Sequence, residues 1–484
     1  MKQLSKRLFG ALLAIIMAVT MLPNSTFKAT AANASTQRTI TTGSTFFYGS
    51  YPQTKVTNPA LITALNALTL SSDDTVTYAG SKYKRVYFTQ YTPQEVGTSI
   101  SPDESYQAAN SYYINTVYWF KYEPIKWRVL SNTSGELFVM AVNILASSAY
   151  NQADNNVTWE TCDLRHWLNN DFYNTAFNSS EKAGIKTTAV VNEDNPWDNS
   201  DGGNNTSDKL FLPSLSEATN TANSFSSDES TDTSRQAQGT DYSKSQGLYV
   251  YTGSTYLGNG FWWLRTPGDG QSCACIVCCG GDIDNDGDGV ITTYIGVRPA
   301  FKINLSSVIF VSSISLSKSS ATLISGKTLQ LTATVKPSNA IYKAVAWKSS
   351  SSAALVSAAG LVTANAVGAA TVTCSALDGS GIKATCKITV IPKTPTNLKA
   401  VKATTSSIKL TWTAVSGATG YYIYRSNSST GPYTKIKALT GSNTFTNTGL
   451  ITKGTTYYYK VQAYKTVGAN LYSGGLSSMA YAKV

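Results

Sequence analysis

At about residue 308 the chain changes its hydrophobic period, and one core cannot serve both sides of that change. Beyond it, apolar and polar residues alternate in short runs closed by Gly or Pro, as in Leu329-Gln330-Leu331 and Ala333-Thr334-Val335 before Pro337. Alternation of this kind belongs to strands with one buried face. Before it, residues 35–308 are rich in aromatics, Asn and Asp and mix helical with strand periods. A single core rarely grows past roughly 250 to 300 residues. The 484 residues therefore predict several domains: a mixed α+β module over 35–308, then all-β domains over 309–392 and 393–484. The short proline linker Ile391-Pro392-Lys393-Thr394-Pro395 separates the last two and holds them apart.

Residues 1–34 read as a signal peptide. Lys2, Lys6 and Arg7 precede an apolar run from Leu8 to Leu22, too short for a stable span, and small residues follow around Ala29 to Ala34. The alternative is an uncleaved anchor. No second apolar stretch of spanning length follows, and the end at Ala480 to Val484 has no hydrophobic tail. An extracellular, secreted or wall-associated protein is expected, held non-covalently if at all.

The net charge of +11 hides a division. From Ser312 onward 18 Lys plus Arg face a single acid, Asp378, while the region between the signal segment and Ser312 carries −10. A basic tail of this kind is drawn to polyanions in a salt-dependent way. Outside a cell that means an anionic cell-wall polymer; the alternative is a solvated Lys-rich surface, and no nucleic-acid partner is expected.

In the first β region, Pro337-Ser338-Asn339-Ala340, the strand around Val345-Ala346-Trp347, Gly360-Leu361-Val362-Thr363-Ala364 and the hairpin Asp378-Gly379-Ser380-Gly381 resemble the group 2 bacterial immunoglobulin-like domain. Cys374 and Cys386 flank that hairpin almost symmetrically, so a cross-strand disulfide is expected wherever the register allows it. In the second, Leu410-Thr411-Trp412, Gly420 to Arg425 and the strand Tyr457-Tyr458-Tyr459-Lys460-Val461 resemble fibronectin type III, with Tyr457, Tyr459 and Val461 on one core face. Both resemblances imply immunoglobulin-like sandwiches that present a neighbour and do no chemistry of their own.

In the head, Tyr118 to Leu130 and Glu136 to Ala141 read as a hairpin. Leu164, Trp167, Leu168, Phe172 and Ala176 share one helical face between Thr161 and Phe177, and Asn178 with Glu181 forms a capping box opening a second helix. Asp198–Ser207 and Ala218–Lys244 read as surface loops or disordered insertions, with Lys209 to Pro213 a buried strand between them. With Phe261-Trp262-Trp263-Leu264-Arg265-Thr266-Pro267 and Gly296-Val297-Arg298-Pro299-Ala300, these segments resemble domain-of-unknown-function family 6273 of secreted Firmicute proteins. The two arginine-bearing ends are also similar to C-type-lectin-like and formylglycine-generating-enzyme folds, which implies a lectin-like module.

Between those ends, Cys273 to Ile295 uses only Cys, Ala, Ile, Val, Gly, Asp, Asn, Thr and Tyr. Codons ending in C encode that set, a bias similar to that of lectin-like proteins diversified by retroelements, which place such a stretch on the ligand face. The alternative is an ordinary Gly/Asp-rich hairpin. The first reading makes Asp282, Asp284, Asn285, Asp286, Asp288 and Tyr294 the ligand-binding residues, with a glycan or a surface protein as partner and Trp262 and Trp263 as core support. Asp284, Asp286 and Asp288 also match the first half of a calcium loop, although Ile295 stands where a closing Glu belongs.

Catalysis finds little footing. His166, the one histidine, reads as a packed or surface residue of its helix, so no Ser–His or Cys–His pair is proposed and no catalytic residue is assigned. The runner-up readings are a structural wall protein without a ligand and an oxidase using Cys273 and Cys278 as a copper pair. The expectation is a non-catalytic binding or adhesion protein.

Overall fold

The computed structural model describes residues 40–450 and 452–484, so the expected signal segment lies outside the described residues. In the head the strands are β1 (Thr45–Lys55), β2 (Thr75–Tyr78), β3 (Ser81–Val86), β4 (Tyr118–Thr133), β5 (Glu136–Ala141), β6 (Ala146–Ser147), β7 (Thr188–Val190), β8 (Thr206–Asp208), β9 (Trp262–Pro267), β10 (Cys273–Val277), β11 (Ile283–Gly289), β12 (Gly296–Val297) and β13 (Ala300–Asn304). Helices are few and short, so the module is mixed but dominated by strands.

The expected hairpin forms as β4 and β5, joined by Ser134 and Gly135 at φ 53° and 86°. Two left-handed central residues match the twist of the flanking strands, which fixes the register. One sheet runs β13-β5-β4-β3-β2 with β1 laid along β4; the other runs β11-β10-β9-β12-β6, leaving β11 at an edge. Between them lies one core, in which Trp127, Trp159, Trp262, Trp263 and Phe301 are wholly buried. Each such ring contributes about 2–3 kcal/mol by leaving water.

The helical stretch runs as Asp163–Trp167, a π-turn over Leu168–Phe172, and Tyr173–Ala176. Leu164, Leu168, Phe172 and Ala176 are buried as their spacing predicts, and the Asn178/Glu181 capping box opens the next helix. Lys209 to Pro213 makes a single bridge, Phe211 to Ala300, instead of a strand. The two polar stretches are not disordered: Phe225, Arg235, Ala237 and Tyr242 bury themselves against the core, and Thr206–Asp208 pairs with β7.

The junction to the next domain is packed. Phe310 meets Phe46 edge-on at 6.5 Å, Tyr342 tilts onto Phe47 at 4.6 Å, and Ile341 donates its N–H to the Ile309 carbonyl at 3.0 Å. Asp378, the only acid after Ser312, is buried and accepts from the Val311 amide and from Ser380 N.

In the immunoglobulin-like domain a four-stranded sheet (Ser320–Ile324, Lys383–Ile391, Gly368–Ala376, Val345–Ser349) faces a three-stranded one (Thr328–Gln330, Leu361–Ala364, Ala354–Val356). Leu331, Val362, Val372 and Ile388 fill the space between them. The expected Cys374–Cys386 disulfide does not form. Cys374 pairs with Ala384 and Cys386 with Val372, and both thiols are free. Diagonal neighbours of this kind sit about 7–8 Å apart, outside the roughly 4.4–6.8 Å window of a disulfide.

The last domain sets Lys399–Thr404, Ser407–Thr411 and Thr444–Asn447 against a sheet built on Thr434–Thr440, Gly420–Ser426 and Thr456–Val467. Tyr457, Tyr459 and Val461 point inward with Trp412, as their alternation predicts, and Asn447 donates to the Tyr459 hydroxyl at 2.8 Å.

Candidate binding groove

The hairpin singled out by composition is only half on the surface. Ala274, Cys275, Ile276 and Val277 of β10 are buried between β9 and β11, whereas Asp284 and Asp286 on the edge strand are exposed. The two arginines bracketing it are structural. Arg265 donates to the carbonyls of Leu212 (2.8 Å) and Val191 (2.9 Å) and to Glu217 (2.5 Å). Arg298 donates to Ala141 O and Arg235 O and lies over the Trp262 ring; burial without a carboxylate partner pushes its guanidinium down to about 9.

The six expected ligand residues do not form one site. Asp288 is consumed at a turn: Oδ1 accepts from Gly289 N and Thr292 Oγ1, and Oδ2 from the Tyr294 hydroxyl at 3.1 Å. Tyr294 in turn packs against Tyr106 at 5.1 Å. Asp284 accepts from Gly287 N, and the Asp282 carbonyl accepts from Cys278 N. Asp284, Asp286 and Asp288 therefore do not gather as a calcium loop would require, and among the described residues no three His, Cys, Asp or Glu side chains do. The strand geometry of β11 spreads along one edge what an EF-hand turn would fold inward.

Asn285 is the exception. Its Nδ2 donates to Glu229 Oε2 at 2.7 Å, and Glu229 Oε1 accepts from the indole N–H of Trp197, also at 2.7 Å. This chain of contacts borders a groove of about 920 Å³ whose walls include Glu193, Asp194, Trp197, Leu215, Asp228 and Glu229. Trp197 is 67 % exposed, the most exposed large apolar side chain among the described residues.

Three loops build the groove, each pinned by a buried polar side chain. Asn195, 1 % exposed, donates to the carbonyls of Pro267, Gly268 and Asn285 and accepts from Trp197 N, so the tryptophan stands on a fixed loop. Ser214 and Glu217 close a capping box, and Thr266 Oγ1 accepts from Leu215 N, seating the second wall. Arg235 anchors the third: Nε donates to Gly281 O at 2.6 Å, and NH1 to Ala218, Ser226 and Asp228 carbonyls, with Ser230 O taking NH2. Gly281, at φ 82°, brings its backbone so close that a Cβ would stand 2.0 Å from Asp232 O.

The groove is acidic and rich in acceptors. Four carboxylates line it and no Lys or Arg does. Hydrogen bonds from Ser230 and Ser226 hold the Asp228 carboxyl below its ordinary range. Ionised carboxylates accept and cannot donate, so an occupant must bring donors. Sequence reasoning missed these residues because Asp228 and Glu229 fall in a stretch read as a loop, while Glu193, Asp194, Trp197 and Leu215 lie outside every motif singled out as a site. The available signal was a tryptophan inside the polar run Asn192-Glu193-Asp194-Asn195-Pro196-Trp197-Asp198.

The thiols are poorly placed for metal or redox work. Cys273 opens β10 and Cys278 follows its last residue, about 16 Å apart by strand rise, too far to share one copper ion. Burial, then Asp282, pushes the Cys278 thiol up to about 12, and burial does the same to Cys275 and Cys162. His166 is exposed on its helix beside a smaller cleft with Arg165 and Asp208.

Residues 134–305 match the model of a domain of unknown function, DUF6273. Residues 310–388 match the bacterial Ig-like domain (group 2), and 393–478 the fibronectin type III domain. The DUF6273 match begins in the β4–β5 turn, although β1 to β4 complete the same sheet. No curated protein matches the chain. Among solved structures, an Fn3-like protein from Clostridium thermocellum is 34% identical over 18% of this chain and 88% of its own, with a TM-score of 0.15. A two-domain fibronectin type III segment of chicken tenascin is 14% identical over 36% and 98%, with a TM-score of 0.26. Among the described residues no helix is long and apolar enough to cross a membrane. The chain carries, in order, a DUF6273 domain, a group 2 bacterial immunoglobulin-like domain and a fibronectin type III domain, the last two from families common in extracellular and surface proteins.

Proposed function

We propose that this is an extracellular, non-catalytic binding protein whose head takes a glycan in the groove beside Trp197, in the manner of a lectin. The carrying observation is an indole face held open to water while its N–H is tied through Glu229 to Asn285 of β11. A flat ring offers its face to the C–H side of a sugar, and the surrounding carboxylates accept from hydroxyls. Concave sites that combine an apolar platform with a few fixed polar groups are the usual form of small-ligand pockets. Four carboxylates without a cation disfavour acidic sugars, so the ligand class is a neutral or amine-bearing oligosaccharide. Families common in surface proteins support the same reading, since they supply spacers that present a head.

The test is an array of neutral, free-amine and carboxylated oligosaccharides probed with the whole chain. Binding confined to the first two classes and lost in Trp197→Ala is expected. A blank array, or full binding by Trp197→Ala, refutes the groove as a sugar site. Capture of a lysine-rich surface protein with no sugar bound would shift the ligand class to protein.

A further inference from the structure

Residues 393–484 hold eleven Lys plus Arg and not one Asp or Glu. Every cation of the last domain therefore lacks an acidic side-chain partner within it. They are not evenly spread in character. On the sheet built from Gly420–Ser426 and Thr456–Val467, the side opposite the core carries Tyr422, Tyr424, Tyr458, Lys460 and Gln462, since their strand neighbours Tyr421, Ile423, Tyr457, Tyr459 and Val461 are buried. Tyr481, 62 % exposed, joins this side opposite Tyr458, with the two rings 5.7 Å apart.

The rings order the cations. Lys435 Nζ stands 4.4 Å from the centre of the Tyr422 ring, which stacks on Tyr464 at 4.5 Å. Lys460 Nζ stands 4.7 Å from the Tyr433 ring, and the Tyr424 hydroxyl donates to Gln462 at 2.8 Å. Long lysine chains are ordinarily costly to order; a ring beneath each ammonium offsets part of that cost while its N–H donors remain turned to water. The outcome is a flat face of fixed ammonium groups and phenol hydroxyls with no anion of its own.

We infer that this face is a second binding surface, independent of the groove in the head, and that its occupant is an extended polyol-phosphate chain of the kind that makes up anionic wall polymers. Charge complementarity selects a polyanion. The state of the rings selects among polyanions. Tyr422 and Tyr464 already stack on each other, Tyr433 is capped by Lys460 and Tyr458 is tilted against Tyr481, so apart from the outer face of Tyr481 these rings offer no row of open faces on which successive bases could stack. What remains outward is ammonium for phosphate oxygens and the hydroxyls of Tyr422, Tyr458 and Tyr481 for polyol oxygens, those of Tyr424, Tyr433 and Tyr464 being engaged within the domain.

The test uses the whole chain and poly(glycerol phosphate), with oligothymidylate of equal charge as the competing class. Lys435→Gln with Lys460→Gln should weaken polymer binding by on the order of tenfold and lower the log–log salt dependence by about two charges. Lys402→Gln with Lys409→Gln, the same charge removed from the opposite sheet, should cost less than about threefold. Trp197→Ala should leave polymer binding unchanged, so failure of the groove reading and failure of this one are separable. Equal losses in the two lysine pairs would reduce the effect to bulk charge and overturn the surface. Tighter binding of oligothymidylate, or no binding of the polymer at all, would overturn it as well.

Discussion

Replacing Arg235 with Met isolates what holds the groove's third wall. The side chain is wholly buried and gives its donors to five carbonyls, those of Gly281, Ala218, Ser226, Asp228 and Ser230. Methionine keeps most of the stem's packing and removes the donors together with the charge that stands 3.9 Å from Asp232 Oδ2. The Ser226, Asp228 and Ser230 carbonyls lie near the surface and regain water. Gly281 and Ala218 are themselves buried and do not. Each stranded acceptor costs about 1–3 kcal/mol, and breaking a charged network from one side costs about 3–5 kcal/mol in all. Burial lowers the guanidinium's own proton affinity, so the cation is costly to place there, but a single replacement cannot recover that cost once the carbonyls are orphaned. At roughly 2–4 °C per kcal/mol for a domain of this size, the head's transition should fall by about 10 °C in scanning calorimetry of the whole chain. The two sandwich transitions should stay in place. New protease sensitivity should appear between Ser226 and Ser234. A head transition lowered by less than about 2 °C would refute the clamp.

Trp197→Ala removes one exposed hydrogen bond and little buried area, so stability should fall by less than about 1 kcal/mol while sugar affinity falls at least tenfold, a split read by pairing calorimetric melting with titration. Iodoacetamide at pH 8 should label Cys278 slowly in the native protein, because burial and Asp282 hold its thiol near 12 and the thiolate appears only as pH approaches that value; rapid labelling would contradict the packing. Denatured, unreduced protein should take alkyl groups at both Cys374 and Cys386, and a mass two hydrogens short with both blocked would restore the disulfide. Asp378→Ala should cost about 1.5–3 kcal/mol at the junction by leaving the Val311 amide unpartnered, read as faster hydrogen exchange at Val311; unchanged protection would remove the carboxylate from that role.

What could be read in advance was what repeats locally. Leu164, Leu168, Phe172 and Ala176 declare their face by spacing, and Tyr457, Tyr459 and Val461 declare theirs by alternation. Long-range register left no such trace. Cys374 and Cys386 are centred on residue 380, whereas the strands fold about residue 379, pairing Ser375 with Lys383; a turn displaced by one residue moves every partner by two and parts the thiols. The acidic hairpin misled for a related reason. Composition treats Cys273 to Ile295 as one stretch, but sheet order buries β10 and exposes only alternate residues of β11, so Asp284 and Asp286 reach water while Asn285 turns toward Glu229. The groove itself depends on Asn195 and Arg235 donating to carbonyls as far as 90 and 46 residues along the chain, and a carbonyl looks the same at every position of a sequence. Only Trp197 carried a local mark. A large apolar ring among Asn, Asp and Pro has no core to enter, so its place is set either by burial that its neighbours cannot supply or by a ligand that can cover it.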